Sequence, residues 1–381
     1  MKIEDVEVRV VGPAVPRYTW SHDLPEQYMT NTIVRIRTDE GAEGVGGVSN
    51  YTSYDFDRYT AETLRHMVPL LLGMDPLQRE AIRQRLRARV FPLTPTANAV
   101  IDIALWDLLG KVAGLPLYQL LGGARDRIMA YASTPLLQDV PAYLRFADDL
   151  VKGGFRAIKF HAWCLPERDL ELARAVRKHY PGPEIAFMLD AENNYDRQSA
   201  LRAAVELEDL GFTWFEAPLP DFDLEGYREL TSRVRIPVLP SGNHIQDLSV
   251  LGDALSKHTW RAARTDATVC GGITQARKAL ALVEAAGMNC ELMSWGFTLI
   301  SAANLHLMLS FPNCTYYEQA VPYEAYEYGM DNVIRTQEDG YVRAPQGPGL
   351  GVQVDWKAMK AATIYSFNSS EIRKGSIHVQ A

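Results

Sequence analysis

Apolar and polar residues alternate along MKIEDVEVRVV, the two-residue period of a strand with one buried face. After a loop rich in Pro and aromatics, GPAVPRYTWSHDLPEQYMT, the stretch TNTIVRIRTDEGAEGVGGVS carries two more alternating runs around a DEG turn and predicts a hairpin. A second aromatic loop, SNYTSYDFDRYT, follows. The segment from Ala61 to about Arg89 has helical periodicity, broken near Gly73, Asp75 and Pro76. TANAVIDIALWDLLGKVAG predicts an amphipathic helix ending at Gly114, before LPLYQLLGG. Residues 1–125 therefore read as a small α+β unit.

From about Arg127 the pattern changes. Apolar β-rich runs recur as RIMAYAS, RAIKFH, EIAFMLD, TWFEAP, IPVLPSG, WRAARTD, MNCELMS and CTYYEQ, about 24–31 residues apart, with helix-period segments between most of them. Eight strand–helix units over residues 126–350 predict an α/β fold of the TIM-barrel type. A doubly wound open sheet is the alternative. It concentrates ligands at one switch point, whereas here functional-looking residues end nearly every strand. Residues 351–381 are mixed in character and are expected to return to the first domain.

The strand ends carry the candidate chemistry. Alternation puts Lys159 and His161 on one face of their strand, Asp190 on the face of Met188 and Ala186, and Glu216 on that of Trp214. If the three strands are parallel neighbours, two bases and two carboxylates converge at one end. That is a layout for metal-assisted proton abstraction. Singly, each has a plainer reading: an Asp after a strand is commonly a turn or helix N-cap residue, and a KxH commonly a solvated or ion-paired couple. Their recurrence in consecutive units argues for a site.

Composition narrows the function classes. The chain has 381 residues, 47% hydrophobic, with a formal net charge of −8. No basic patch is interleaved with aromatics, which argues against nucleic acid as a partner. No apolar run approaches the roughly 20 residues that span a bilayer, so no membrane role is expected. The N-terminus lacks an apolar signal core, and Cys164, Cys270, Cys290 and Cys314 show no CxxC spacing. Reduced, buried thiols and a cytoplasmic location are the expectation.

The run IDIALWDLLGKVAGLPLYQLLGG resembles the helix and loop that lead into the barrel of the enolase superfamily, within it the mandelate racemase and muconate-lactonising group. The strand ends KFH, MLDAEN, WFEAP, PSGNH, RTDATVCGGIT and YYEQ resemble that group in order, as does the DEGAEG hairpin. The resemblance covers nearly the whole chain. It implies an α+β capping domain over a modified (β/α)7β barrel. It also implies a divalent metal, usually Mg2+ (Mn2+ is an alternative), that binds a substrate carboxylate while a base removes the proton α to it. The resulting enediolate carries two negative charges on one carboxylate, which a hard cation and preorganised donors stabilise. Sites of this superfamily are known to pair a Lys or His base with Mg2+.

By this resemblance Asp190 and Glu216 match the first two metal ligands. Asn243 stands where the third, usually an acid, is found; its carbonyl can ligate Mg2+ but brings no charge. Lys159 and His161 match the two-base motif, more often Lys at both places. His161 is expected to be the base and Lys159 its electrostatic partner. Asp266 matches the strand-six aspartate that orients a histidine on strand seven in many relatives. Here strand seven offers Trp295 instead, which leaves a two-base mechanism without its second base. Glu318 matches the strand-eight acid, and His244 is either a substitute acid or a rim residue. In the capping loops Arg17, Tyr18, Trp20, His22, Tyr51 and Tyr54 are candidates for substrate contacts or for packing between the domains. The expected function is an acid-sugar dehydratase giving a 2-keto acid from a small hydroxy-carboxylate. Alternatives are a racemase, epimerase or cycloisomerase of the same superfamily, or a non-catalytic carboxylate-binding relative. A homo-oligomer is expected by analogy alone.

Overall fold

The structure is a computed structural model and describes residues 1–52, 57–90 and 96–375. The side chain of Tyr51 and the whole of Tyr54 lie outside the described residues. The N-terminal part contains β1 (Ile3–Val11), β2 (Tyr28–Thr38) and β3 (Glu43–Thr52), then helices α1 (Asp57–Leu71), α2 (Arg79–Val90), α3 (Thr96–Ala113) and α4 (Leu117–Leu120). Strands and helices then alternate: β4 (Arg127–Ser133), α5 (Val140–Lys152), β5 (Ala157–His161), α6 (Pro166–His179), β6 (Ala186–Asp190), α7 (Arg197–Asp209), β7 (Trp214–Glu216), α8 (Leu224–Arg233), β8 (Val238–Leu239), α9 (Leu248–Ser256), β9 (Ala262–Thr265), α10 (Ile273–Ala285), β10 (Asn289–Leu292), α11 (Thr298–Ser310) and β11 (Tyr316–Ala320). The chain ends with β12 (Tyr341–Arg343), α12 (Trp356–Ala361), β13 (Thr363–Asn368) and α13 (Ser369–Gly375).

The eight parallel strands β4 to β11 form the expected (β/α)7β barrel. Pairing runs β11-β4-β5-β6-β7-β8, β9 pairs with β10, and β8 against β9 and β10 against β11 close the ring. The predicted runs all became strands because each is a short β-rich stretch between helices that cover the outer face. Several helices start at an Asp N-cap: Asp139, Asp196, Asp223 and Asp247 each accept a backbone N–H in the first turn. Asp190, at a strand end, is not among these caps. Inside the barrel Tyr131, Ala157, Met188, Trp214, Leu239 and Ala262 pack as an apolar layer that closes one end. Tyr131 meets Trp214 edge-on, with centroids 5.4 Å apart. Strand alternation places Lys159, Asp190, Glu216 and Arg264 one step above this layer.

The capping sheet has the order β13-β1-β2-β3, so the end of the chain pairs antiparallel with β1. Helix α3 corrects one expectation. It is not amphipathic: Ile101, Ile103, Leu105 and Leu108, which point to different sides, are all buried. The reason is tertiary, because α3 lies between the capping sheet and barrel helix α10. Two buried acids tie it down on both sides. Asp102 accepts from Thr274 N and Oγ1 at 2.8 and 2.5 Å, at the start of α10. Asp107 accepts from Val45 N at 2.8 Å and Leu350 N at 2.9 Å.

The close seat of α3 requires glycine on β3. A Cβ at Gly46 would lie 2.3 Å from Val100 O and 2.7 Å from Ala104 N, and one at Gly44 2.1 Å from Ala104 O. These are backbone atoms and cannot swing aside. Gly46→Ala should therefore destabilise the fold by about 2–3 kcal/mol, as overpacking does, read as a lower denaturation midpoint. An unchanged midpoint would show that α3 does not rest on this strand.

Candidate active site

Parallel pairing aligns the functional strand ends. In the ladder His161 stands beside Asp190, and Asp190 beside Glu216. Lys159, two residues earlier on the same face as His161, points into the space between them. Its Nζ contacts Asp190 Oδ2 at 2.9 Å, Glu216 Oε1 at 2.6 Å and Glu318 Oε1 at 3.1 Å. All four side chains are buried. Burial alone would lower the Lys159 pKa. The three carboxylates together outweigh it and hold the ammonium well above its ordinary value.

His161 is tethered at one ring nitrogen and open at the other. Its Nδ1–H donates to Thr134 O at 2.6 Å, since a carbonyl only accepts. Nε2 then faces Asp190 Oδ2 at 3.1 Å and Glu192 Oε1 at 3.3 Å. Burial and Lys159 lower the imidazole's pKa, but Asp190 and Glu192 prevail and raise it to about 9. Asp190 is held well below the carboxylate range by Lys159 and His161 against the effect of burial. Burial pushes Glu216 up to about 8, with Arg264 and Lys159 pulling the other way. The backbone just beyond the strands is strained: Glu192, Asn193 and Ala217 all have positive φ (46°, 63° and 46°).

Arg264 was not anticipated. Its guanidinium is 2% exposed and contacts Glu216 Oε1 at 3.0 Å and Glu318 Oε2 at 2.9 Å. In the ring, β9 stands four places from β5, so Arg264 faces Lys159 and His161 across the barrel mouth. The available signal was alternation: Arg264 shares a face with Asp266, the residue singled out in that strand. Asp221 was also missed. It accepts from Ser241 N and Oγ, both at 2.7 Å, and from His244 N at 3.1 Å, and so holds the turn that carries Asn243.

A cavity of about 320 Å³ opens over these groups, bordered by Lys159, His161, Asp190, Glu216, Asn243 and Glu318. Trp20 and Trp295 also line it, as expected, together with the unanticipated Leu24, Gln27, Glu192 and Met293. Trp295 Nε1 donates to Ser133 Oγ at 3.2 Å, and that hydroxyl donates to Glu318 Oε1 at 2.9 Å.

Four residues expected near the substrate, Asp266, His244, His22 and Arg17, do not border this cavity. Asp266 lies just past the end of β9, and its carboxylate accepts Val269 N at 2.6 Å in its own loop. His244 is exposed, with Nδ1 3.6 Å from Asp221. His22 points its Nδ1–H at Trp163 O, and Arg17 is exposed. Asp266 bonds within its own loop, whereas His22 reaches the backbone beyond β5, contacts that neither spacing nor periodicity reveals. Cys164, Cys270, Cys290 and Cys314 are buried and free. Among the described residues no helix is long and apolar enough to cross a membrane.

Comparison with known proteins identifies the family. Residues 142–358 match the enolase C-terminal domain-like family, and residues 5–122 match the mandelate racemase / muconate lactonizing enzyme N-terminal domain. The chain belongs to the mandelate racemase/muconate lactonizing enzyme group of the enolase superfamily. It is similar to the crystal structure of a Pseudovibrio sp. protein placed in that group, at 41% identity over 96% of this chain and 98% of the other, with a TM-score of 0.94. It is also similar to D-glucarate dehydratase from Agrobacterium tumefaciens complexed with magnesium, at 32% identity over 96% and 100% of the two chains, TM-score 0.80. N-succinyl-L-Arg/Lys racemase of Bacillus cereus is 26% identical over 93% of this chain and 94% of its own. Relatives of this enolase-superfamily enzyme thus include both dehydratases and racemases.

Membership implies a divalent cation, and the donor set fits one. Asp190 and Glu216 are adjacent carboxylates whose oxygens already converge on a single cation, Lys159 Nζ. They offer hard oxygen donors, and the amide of Asn243 borders the same space. A second grouping, His161, Asp190 and Glu192, also brings its ligand atoms within 4.8 Å of one another. It requires an imidazole ligand, which suits Mg2+ less well.

Burial holds the Glu216 acid above the ordinary carboxylate range, and a bound cation favours its ionised form, so Mg2+ affinity should rise with pH. Titration calorimetry at several pH values measures this, and a flat profile would exclude Glu216 as a ligand. Asp190→Asn should cost at least about 100-fold in Mg2+ affinity, and the melting temperature gained on adding Mg2+ should vanish with it.

Proposed function

We propose that this enzyme removes the proton α to the carboxylate of a small hydroxy-carboxylate and expels the β-hydroxyl, making it an acid-sugar dehydratase. The observation that carries this reading is the one-sidedness of the proton-carrying groups. Lys159 and His161 stand on β5, and the group opposite on β9 is Arg264, whose guanidinium neither gives nor takes a proton at neutral pH. Racemisation needs an acid or base on each face of the α-carbon; elimination can run from one face.

Asp190, Glu216 and Asn243 are the proposed metal ligands. A cation held there would supply positive charge beside the substrate carboxylate; Asp190, shared with it, would then hold the His161 proton less strongly. The Thr134 carbonyl fixes the His161 tautomer, so Nε2 is the atom that takes the α-proton. Lys159 stays an ammonium and contributes charge, not proton transfer. The imidazolium then returns its proton to the departing β-hydroxyl as the β C–O bond breaks. Water leaves, and the enol tautomerises to the 2-keto acid. Glu318, steadied by Ser133 and Arg264, is placed to hydrogen-bond the substrate carboxylate when one of the two is protonated.

His161→Asn should abolish α-deuterium exchange, a loss of about 10²–10⁴-fold in turnover, while the fold and Mg2+ binding persist. In the wild type, turnover should rise with pH along a one-proton limb, because His161 works only once Nε2 has lost its proton. Persistent exchange in the variant would place the base elsewhere. An NMR time course in deuterated water with one pure epimer distinguishes the reaction classes. Appearance of a 2-keto acid is expected; build-up of the deuterated opposite epimer without loss of water would overturn the reading in favour of a racemase.

A further inference from the structure

The seam between the capping domain and the barrel holds a second cavity, of about 280 Å³. Arg79, Glu80 and Trp106 line it from α2 and α3, and Thr274 and Arg277 from α10 of the barrel. None of these five residues borders the active-site cavity. The Arg79 guanidinium lies 4.2 Å from the centre of the Trp106 ring, and that of Arg277 stands 5.9 Å from the same ring. The indole is fixed at its edge, where Nε1 donates to Thr274 Oγ1 at 2.9 Å. Two guanidinium groups, one from the cap and one from the barrel, thus share one aromatic ring.

Their counter-charge is thin. Glu80 is the carboxylate of the wall, and it lies 2.7 Å from Lys278 Nζ and 3.7 Å from Arg277 Nη2, so three cations face one acid. Asp102 attracts Arg79, but its two oxygens accept from Thr274 N and Oγ1. Burial lowers the Arg79 pKa, and the like charge of Arg277 adds to the effect. Arg79 Nε and Nη1 and Arg277 Nε are covered and meet no acceptor among the described residues. Covered donors are normally bonded, and an ionised one is costly when it is not.

We propose that this cavity binds a small phosphate-class oxyanion, gripped by Arg79 from the cap and by Arg277 from the barrel. Guanidinium forks match such an anion, and both sit on flexible stems that can turn toward it. A phosphate suits the pair better than a single carboxylate does. Its oxygens point in several directions, so it can accept from forks on two different helices, and it carries up to two charges against two arginines. The cavity is slightly smaller than the range of about 300–1,000 Å³ for small-molecule sites, which suits the free ion or a short phosphate ester. Bound there, the anion ties α2 to α10 and stabilises the seam, independently of the reaction at the barrel mouth.

Calorimetry on the Mg2+-loaded protein tests this, with inorganic phosphate and glycerol phosphate as probes and the ionic strength held constant with KCl. One equivalent of at least one probe should bind, and the tighter of the two identifies the source. The melting temperature should rise with the concentration of that probe. Arg79→Gln and Arg277→Gln should each weaken binding at least about tenfold and remove the rise, with Mg2+ affinity unchanged. Glu80→Gln, which takes the acid out of the wall, should tighten binding, a gain that a damaged fold could not produce. Absence of saturable binding by either probe, or binding that survives both arginine changes, would overturn the inference.

Discussion

The ammonium of Lys159 is the contact on which the site depends. It is 1% exposed and surrounded by Asp190, Glu216 and Glu318. A buried charge is tolerated only when paired, and removing one partner from such a cluster costs about 3–5 kcal/mol because the others are left uncompensated. Asp190 and Glu216 on the neighbouring strands β6 and β7, and Glu318 on β11 beyond β4, can reach one nitrogen only if the strands are parallel, keep their register and curl into a ring. A slip of one residue would turn every one of these side chains into the outer layer. The apolar layer of Met188 and Trp214 beneath the cluster keeps water from entering from below and enforces that register.

The capping domain relies on a second buried polar set. Asp102 and Asp107 occupy one helix, yet one bonds the barrel and the other the capping strand Val45 and the late loop at Leu350. Burial pushes Asp102 up to about 6 despite its two hydrogen bonds from Thr274. These contacts secure the helix that links the capping sheet to the barrel. The loop carrying Trp20 and Gln27 reaches the cavity from the capping side. The charged groups that line the cavity come from the barrel, and Trp20, Leu24 and Gln27 come from the capping loop.

The relatives divide between elimination and racemisation on one scaffold. Across the barrel mouth from His161 stands a guanidinium bound to Glu216 and Glu318. A guanidinium stays charged at neutral pH and does not relay protons.

The order of elements was legible in the chain because each strand is a short β-rich run between helical segments, and because the acids and bases recur at the same place in successive units. Lys159, His161, Asp190 and Glu216 could be grouped from alternation once their three strands were taken as parallel neighbours, since strand geometry dictates which side chains share a face. Alternation is silent on closure. It did not show that β9 comes to stand opposite β5, so Arg264 read as one more arginine until the ring put it across from His161. Nor does periodicity tell a helix with one buried face from one buried on all sides, and α3 became the latter only through its two neighbours. Loop residues such as His22 and Asp266 were unreadable for a further reason: their partners, Trp163 O and Val269 N, are backbone atoms. The sequence by itself determined which residues line up along each strand; the closed barrel decided which of them face one another, because that depends on distances between strands that no local pattern encodes.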